Sequence, residues 1–153
     1  MNYFAQKDWD EEVHNAAELS VILSEMPNIF SQALVFLMEH YHISINDLAE
    51  NSGVSVPSIK RIRTRNWEEG NINTIVRLCV GMKLHPVVSF AFIECSPCRL
   101  TSSVKHTLYK NLILKCKDMT YEDIQKYLQC YSPLKMSANR QRNLSIRQEL
   151  CHK

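Results

Sequence analysis

The stretch Ile45-Asn-Asp-Leu-Ala-Glu-Asn-Ser-Gly-Val-Ser-Val-Pro-Ser-Ile-Lys-Arg-Ile62 constrains the chain more than any other. Two helices that cross steeply over a turn of three or four residues need a small side chain where they touch, and Ala49 supplies one. Four residues on, the backbone must bend sharply at positive φ, which Gly53 does without steric cost. Ile59 and Ile62, six and nine residues past the glycine, then turn one apolar face inward beside Leu48 and Val54. The opposite face is left polar. Ser44 and Asp47 have the S-x-x-D form of a capping box for the first helix, and Ser55 can cap the second, with Pro57 in its first turn.

Helical periodicity continues on both sides. Trp9, Val13, Ala16 and Ala17 predict an N-terminal helix that ends near Pro27, and Phe30, Ala33, Leu34, Leu37 and Tyr41 a second helix over 29–41. Ile72, Ile75, Val76, Cys79 and Val80 give a further stripe, with Gly81 as a left-handed stop. Pro86 opens a helix through Ile93 that is apolar nearly all round, which predicts burial on several sides. Val104, Leu108, Leu112 and Cys116 suggest another helix, and Thr120 to Asp123 repeats the capping-box form ahead of Ile124 and Leu128. Residues 133–153 are polar and basic, and no strand pattern stands out. The fold class read from this is all-α, with an N-terminal helical extension over 1–27, a central domain over 28–94 and accessory helices with a basic tail over 99–153.

The net charge of +2 conceals segregation. Residues 1–28 carry one base and six acids, 29–53 no base and three acids, 54–98 six bases and three acids, and 99–153 eleven bases and four acids. An acidic front and a basic back suggest a polyanion for the later part, or mutual attraction of the two. Three glycines and no G-x-G-x-x-G or G-x-x-x-x-G-K-[ST] argue against a phosphate-cradling loop. No Ser or Cys nucleophile stands in a pattern with His and acid, so an enzyme is not expected. The start MNYFAQKDWDEE reads without an export signal, and Val87 to Ile93 falls far short of the roughly twenty residues of a bilayer span. A cytoplasmic protein with reduced thiols is the expectation.

The Ala49, Gly53, Ile59, Ile62 framework, one helix before it and two after it resemble the five-helix domain of the Cro and lambda-repressor type, the xenobiotic-response-element family of helix-turn-helix regulators. The resemblance implies double-stranded DNA as the partner, no cofactor, and a homodimer on half-sites about 34 Å apart. By the same resemblance the second motif helix, Ser55 to Arg63, lies in the major groove. There Val56, Pro57, Ser58, Lys60 and Arg61 stand nearest the base edges, Val56 for a thymine methyl and Lys60 or Arg61 for guanine. Arg63, Thr64, Arg65 and Asn66 follow as a loop that clamps phosphate, and Ser44 can join them at a helix start. The family's frequent glutamine near the start of this helix is missing, which leaves the target sequence open.

Other readings compete. The same fold serves as a protein-interaction module, an antitoxin or a subunit of a larger regulator, and the acidic N-terminal helix suits that rival. Cys95-Ser-Pro-Cys98 has the spacing of half a zinc site, for which Cys116 and Cys130 are the available further ligands. Residues 118–126 echo 42–50, with Gln125 where Ala49 stood and no turn glycine, which favours an accessory helical pair over a second DNA-reading motif.

Overall fold

A computed structural model describes residues 6–64 and 70–130. Within them the chain forms eight α-helices: α1 (Gln6–Glu25), α2 (Phe30–His40), α3 (Ile45–Ser52), α4 (Val56–Thr64), α5 (Ile72–Gly81), α6 (Pro86–Glu94), α7 (Val104–Lys115) and α8 (Tyr121–Cys130). A single 3₁₀ turn, Cys116–Asp118, follows α7. The described fold is all-α, as the periodicity predicts. Arg65, Asn66, Trp67 and the basic tail lie outside the described residues.

Side-chain caps set most of the starts. The hydroxyls of Ser44, Ser55, Ser103 and Thr120 each accept the amide of the residue three positions on, at 3.1, 3.4, 3.3 and 3.1 Å, which satisfies amides that have no partner within the helix. Asn71 and the His85 imidazole do the same one residue closer, for α5 and α6.

One apolar cluster runs from Ile22 in α1 to Leu128 in α8. α3 packs on α4 and α5, α2 on α4 and α6, and α5 on α6. The added helices join this core: α1 lies on α6, α7 on α5 and α6, and α8 on α3. Phe30 and Phe92 stack with ring centroids 4.6 Å apart, which ties α2 to α6.

Three details differ from the sequence reading. The stripe Trp9, Val13, Ala16, Ala17 marks a helix correctly but is not its packing face. All four are exposed, and Ile22 in the last turn with Met26 just after it are the residues buried on the body. Val104 likewise points outward; α7 buries Tyr109, Leu112 and Ile113. Gly81 is not left-handed. It ends α5, and a Cβ there would stand 2.6 Å from the Ser52 Cβ and 3.0 Å from the Ser52 backbone, so glycine is needed because α3 and α5 touch. The left-handed residue after α5 is Lys83, at φ 47.

Candidate nucleic-acid interface

The turn between α3 and α4 is held on every side. Gly53 adopts φ 72 and ψ 11, and its amide donates to the Ala49 carbonyl at 3.0 Å. Ser52, wholly buried, donates through its hydroxyl to the Leu48 carbonyl and accepts the Val54 amide at 3.1 Å. From behind, Gln125 of α8 donates through Nε2 to the Asn51 carbonyl at 3.0 Å, and Arg77 of α5 donates to Gln125 Oε1 at 3.4 Å. The last carbonyls of a helix have no partner within it, so α8 supplies one for α3. The echo between 118–126 and 42–50 thus marks a helix that braces the first motif. Nothing local in the sequence signals the bridge, because Gln125 and Asn51 are 74 positions apart.

With the turn fixed, Ile59 and Ile62 are buried beneath α4 and Lys60 and Arg61 stand exposed on its outer side. Ser55 and Pro57 are exposed at the start of the helix, and Val56 and Ser58 are half-buried. Ser55 donates its hydroxyl proton to the Ser58 hydroxyl at 2.8 Å, which leaves Ser58 its own proton to donate outward.

Arg63 and Thr64 are not in a loop; both belong to the last turn of α4. The Thr64 hydroxyl is turned back to the Lys60 and Arg61 carbonyls at 3.0 and 3.3 Å. Arg63 reaches the other way, into an open hollow of about 430 Å³ that it lines with Met38, Glu39, His42, Ile43, Ser44 and Ile45. This hollow sits at the N-terminus of α3, whose first amides carry partial positive charge. The Arg63 Nε is itself buried, with no hydrogen-bond partner. Ser44 spends its hydroxyl proton on Asp47, donating to Oδ2 at 2.7 Å, so the Asp47 carboxylate takes a hydroxyl in place of the reciprocal backbone bond of a capping box. The structure therefore gathers Ser44 and Arg63 at one place, keeps Lys60 and Arg61 on the adjoining outer face, and turns the Thr64 hydroxyl inward on its own helix.

The thiols make a different set of contacts. Cys98 Sγ donates to the Gly70 carbonyl at 2.9 Å and Cys95 Sγ to the Pro27 carbonyl at 3.6 Å, and burial pushes both thiols up from their ordinary range. Cys116 is buried, and its Sγ lies 3.9 Å from the Leu84 carbonyl in the connection between α5 and α6. Among the described residues no three His, Cys, Asp or Glu side chains gather to hold a metal. No described helix is long and apolar enough to cross a membrane.

Comparison with protein families matches residues 34–84 to the Cro/C1-type HTH DNA-binding domain. The match opens inside α2 and closes just after α5, so it frames the α3–turn–α4 unit and the helices that support it. Neither the search of curated proteins nor that of solved structures returns a match. Residues 34–84 are thus similar to a helix-turn-helix domain of the Cro and lambda-repressor type, and the other described residues add helices before and after it. The match supports DNA binding by this part of the chain.

Proposed function

We propose that the protein is a cytoplasmic, sequence-specific transcriptional repressor that occupies an operator as a homodimer, without a cofactor. The observation that carries this is the openness of α4: the accessory helices pack on α3, α5 and α6, and Lys60 and Arg61 stay exposed above the buried Ile59 and Ile62. With α4 in the major groove, Lys60 and Arg61 read base edges, joined by Ser58 and by apolar contact from Val56, while Ser55 and Pro57 face the groove wall. Arg63, which lines the hollow beside Ser44, and the first amides of α3 take a backbone phosphate there. Arg65 and Asn66 complete the backbone contacts.

The test selects bound sites from random DNA and then titrates salt on the selected and a scrambled sequence. Arg61→Ala is expected to lower discrimination at one position by about 1–3 kcal/mol. Arg63→Ala is expected to weaken both sequences alike and to lower the salt slope by about one. Equal effects of the two variants on every sequence refute the division of roles. No retardation at low salt, together with a stoichiometric protein partner on purification, replaces this reading with the interaction module.

A further inference from the structure

The bridge behind the motif turn does more than close a helix end. Ile124 and Leu128 are buried and hold α8 on the core, and Gln125, half-buried beside them, has both ends of its side-chain amide engaged. Its Nε2 donates to the Asn51 carbonyl at 3.0 Å, and its Oε1 accepts from Arg77 Nη1 at 3.4 Å. Arg77 is held in turn by Asn73, whose Oδ1 accepts the Arg77 Nε at 3.1 Å. A relay of side chains thus runs from α5 through α8 to the last turn of α3. It also lies against the bend itself, for a Cβ on Gly53 would stand 3.2 Å from Gln125 Oε1 and 3.2 Å from Arg77 Nη1. Among the described residues, every other side-chain hydrogen bond of α3, α4 and the turn between them closes within positions 44–64. Gln125 therefore makes the hydrogen bond that ties the motif to helices outside it.

We propose that Gln125 and Arg77 are positioning residues for base reading, through which α8 sets the angle at which α4 leaves the turn. The inference rests on the operator reading and adds to it a reason for the C-terminal helices. Lys60 and Arg61 lie four and five residues past Val56, the first residue of α4, which puts them about 6–8 Å along its axis. A tilt of about 10° at the turn then carries them roughly 1 Å sideways. A hydrogen bond to a base edge tolerates a shift of about 0.3 Å, whereas attraction to phosphate acts over a screening length of about 8 Å. Loss of the bridge therefore removes discrimination between sequences and spares general attraction to DNA. Glutamine suits the position because one planar amide offers a donor to the carbonyl and an acceptor to the guanidinium at once.

Two substitutions separate the contacts. Gln125→Glu keeps an acceptor for Arg77, now charge-assisted, but has no donor for Asn51, and Gln125→Met loses both. The full-length variants are titrated with the duplex that the wild type selects from random DNA and with a scrambled duplex, at a temperature where circular dichroism shows each of them folded. Both are expected to weaken binding to the selected duplex roughly tenfold and to leave binding to the scrambled one within about twofold. Tyr127→Phe removes the hydroxyl that donates to the Leu108 carbonyl at 3.2 Å from the same helix, and is expected to lower Tm without changing the ratio of the two affinities. In the absence of DNA, hydrogen exchange at the Gly53 and Val54 amides is expected to quicken roughly fivefold in both Gln125 variants. A ratio unchanged in Gln125→Glu, or one that falls with stability in all three variants, overturns the proposal. A wild type that binds both duplexes alike refutes the operator reading and the inference together, an outcome told apart because it needs no variant.

Discussion

Replacing Gly81 by alanine tests the reason assigned to that glycine, because two physical effects compete with opposite sign. Alanine is the better helix former by about 1 kcal/mol in a helix interior, and less at a last residue such as this one. Against this, the new Cβ meets the Ser52 Cβ at 2.6 Å and the Ser52 backbone at 3.0 Å. Ordinary carbon contacts lie near 3.5–4.0 Å, so α3 and α5 must part by about 1 Å. No rotamer change relieves a clash with backbone, and overpacking of this kind costs about 1–3 kcal/mol. The net expectation is a loss of about 1–2 kcal/mol, a fall in Tm of roughly 2–8 °C for a chain of this size. Thermal and urea unfolding followed by helical circular dichroism measure it. Gly53 provides the control. There φ is 72 and an added Cβ meets the ends of Arg77 and Gln125 at 3.2 Å, which can swing aside. Asparagine tolerates the left-handed region, so Gly53→Asn should be milder than Gly53→Ala. Gly81→Asn should be at least as harmful as Gly81→Ala. A Gly81→Ala protein as stable as the wild type, or more so, would falsify the close-contact argument.

Gln125→Ala removes a donor from the Asn51 carbonyl and an acceptor from Arg77, with an expected loss of about 1 kcal/mol in urea unfolding. If Gln125 also holds the turn in register, the same variant lowers specific DNA affinity more than nonspecific affinity, which a merely structural contact would not do. The imidazoles of His85 and His106 accept the amides of Val87 and Thr101 through Nδ1, at 3.2 and 2.9 Å, and so act in their neutral form. Burial lowers the pKa of both, reinforced by Lys117 for His85 and by Lys105 and Lys110 for His106. A histidine whose folded pKa is depressed contributes stability that is fully present above its unfolded value, about 6.5, and is lost as pH falls below that toward the folded value. The urea midpoint should therefore drop between pH 7 and pH 5, and His85→Asn, which keeps a capping oxygen without a titrating group, should flatten the drop.

The parts of the fold that were legible in sequence are those whose constraints are local. Ser44, Ser55 and Thr120 cap amides three positions away, Gly53 bends its own backbone, and Ile59 and Ile62 share a face because they sit three apart. What could not be read depends on partners distant in sequence. Gly81 answers to Ser52, and Gln125 to Asn51 and Arg77. The outward turn of Val104 follows from where α5 and α6 receive α7, which periodicity does not encode. Arg63 looked like part of a loop because charge follows it in sequence; one more helical turn sends it to the start of α3 instead. The exposure of Lys60 and Arg61 was recoverable from spacing, as residues opposite two buried isoleucines, whereas their role as base readers comes from the family resemblance.

The charge segregation acquires a spatial meaning once the helices are placed. α4 packs on α2 and α3, whereas α1 packs on α6, so α2 and α6 stand between the acidic helix and the basic face of α4. Helix axes in contact lie about 8–10 Å apart, which puts the two charged helices on the order of 20 Å from each other. At physiological salt the screening length is about 8 Å, so the α1 carboxylates do little to weaken attraction of phosphate to Lys60, Arg61 and Arg63.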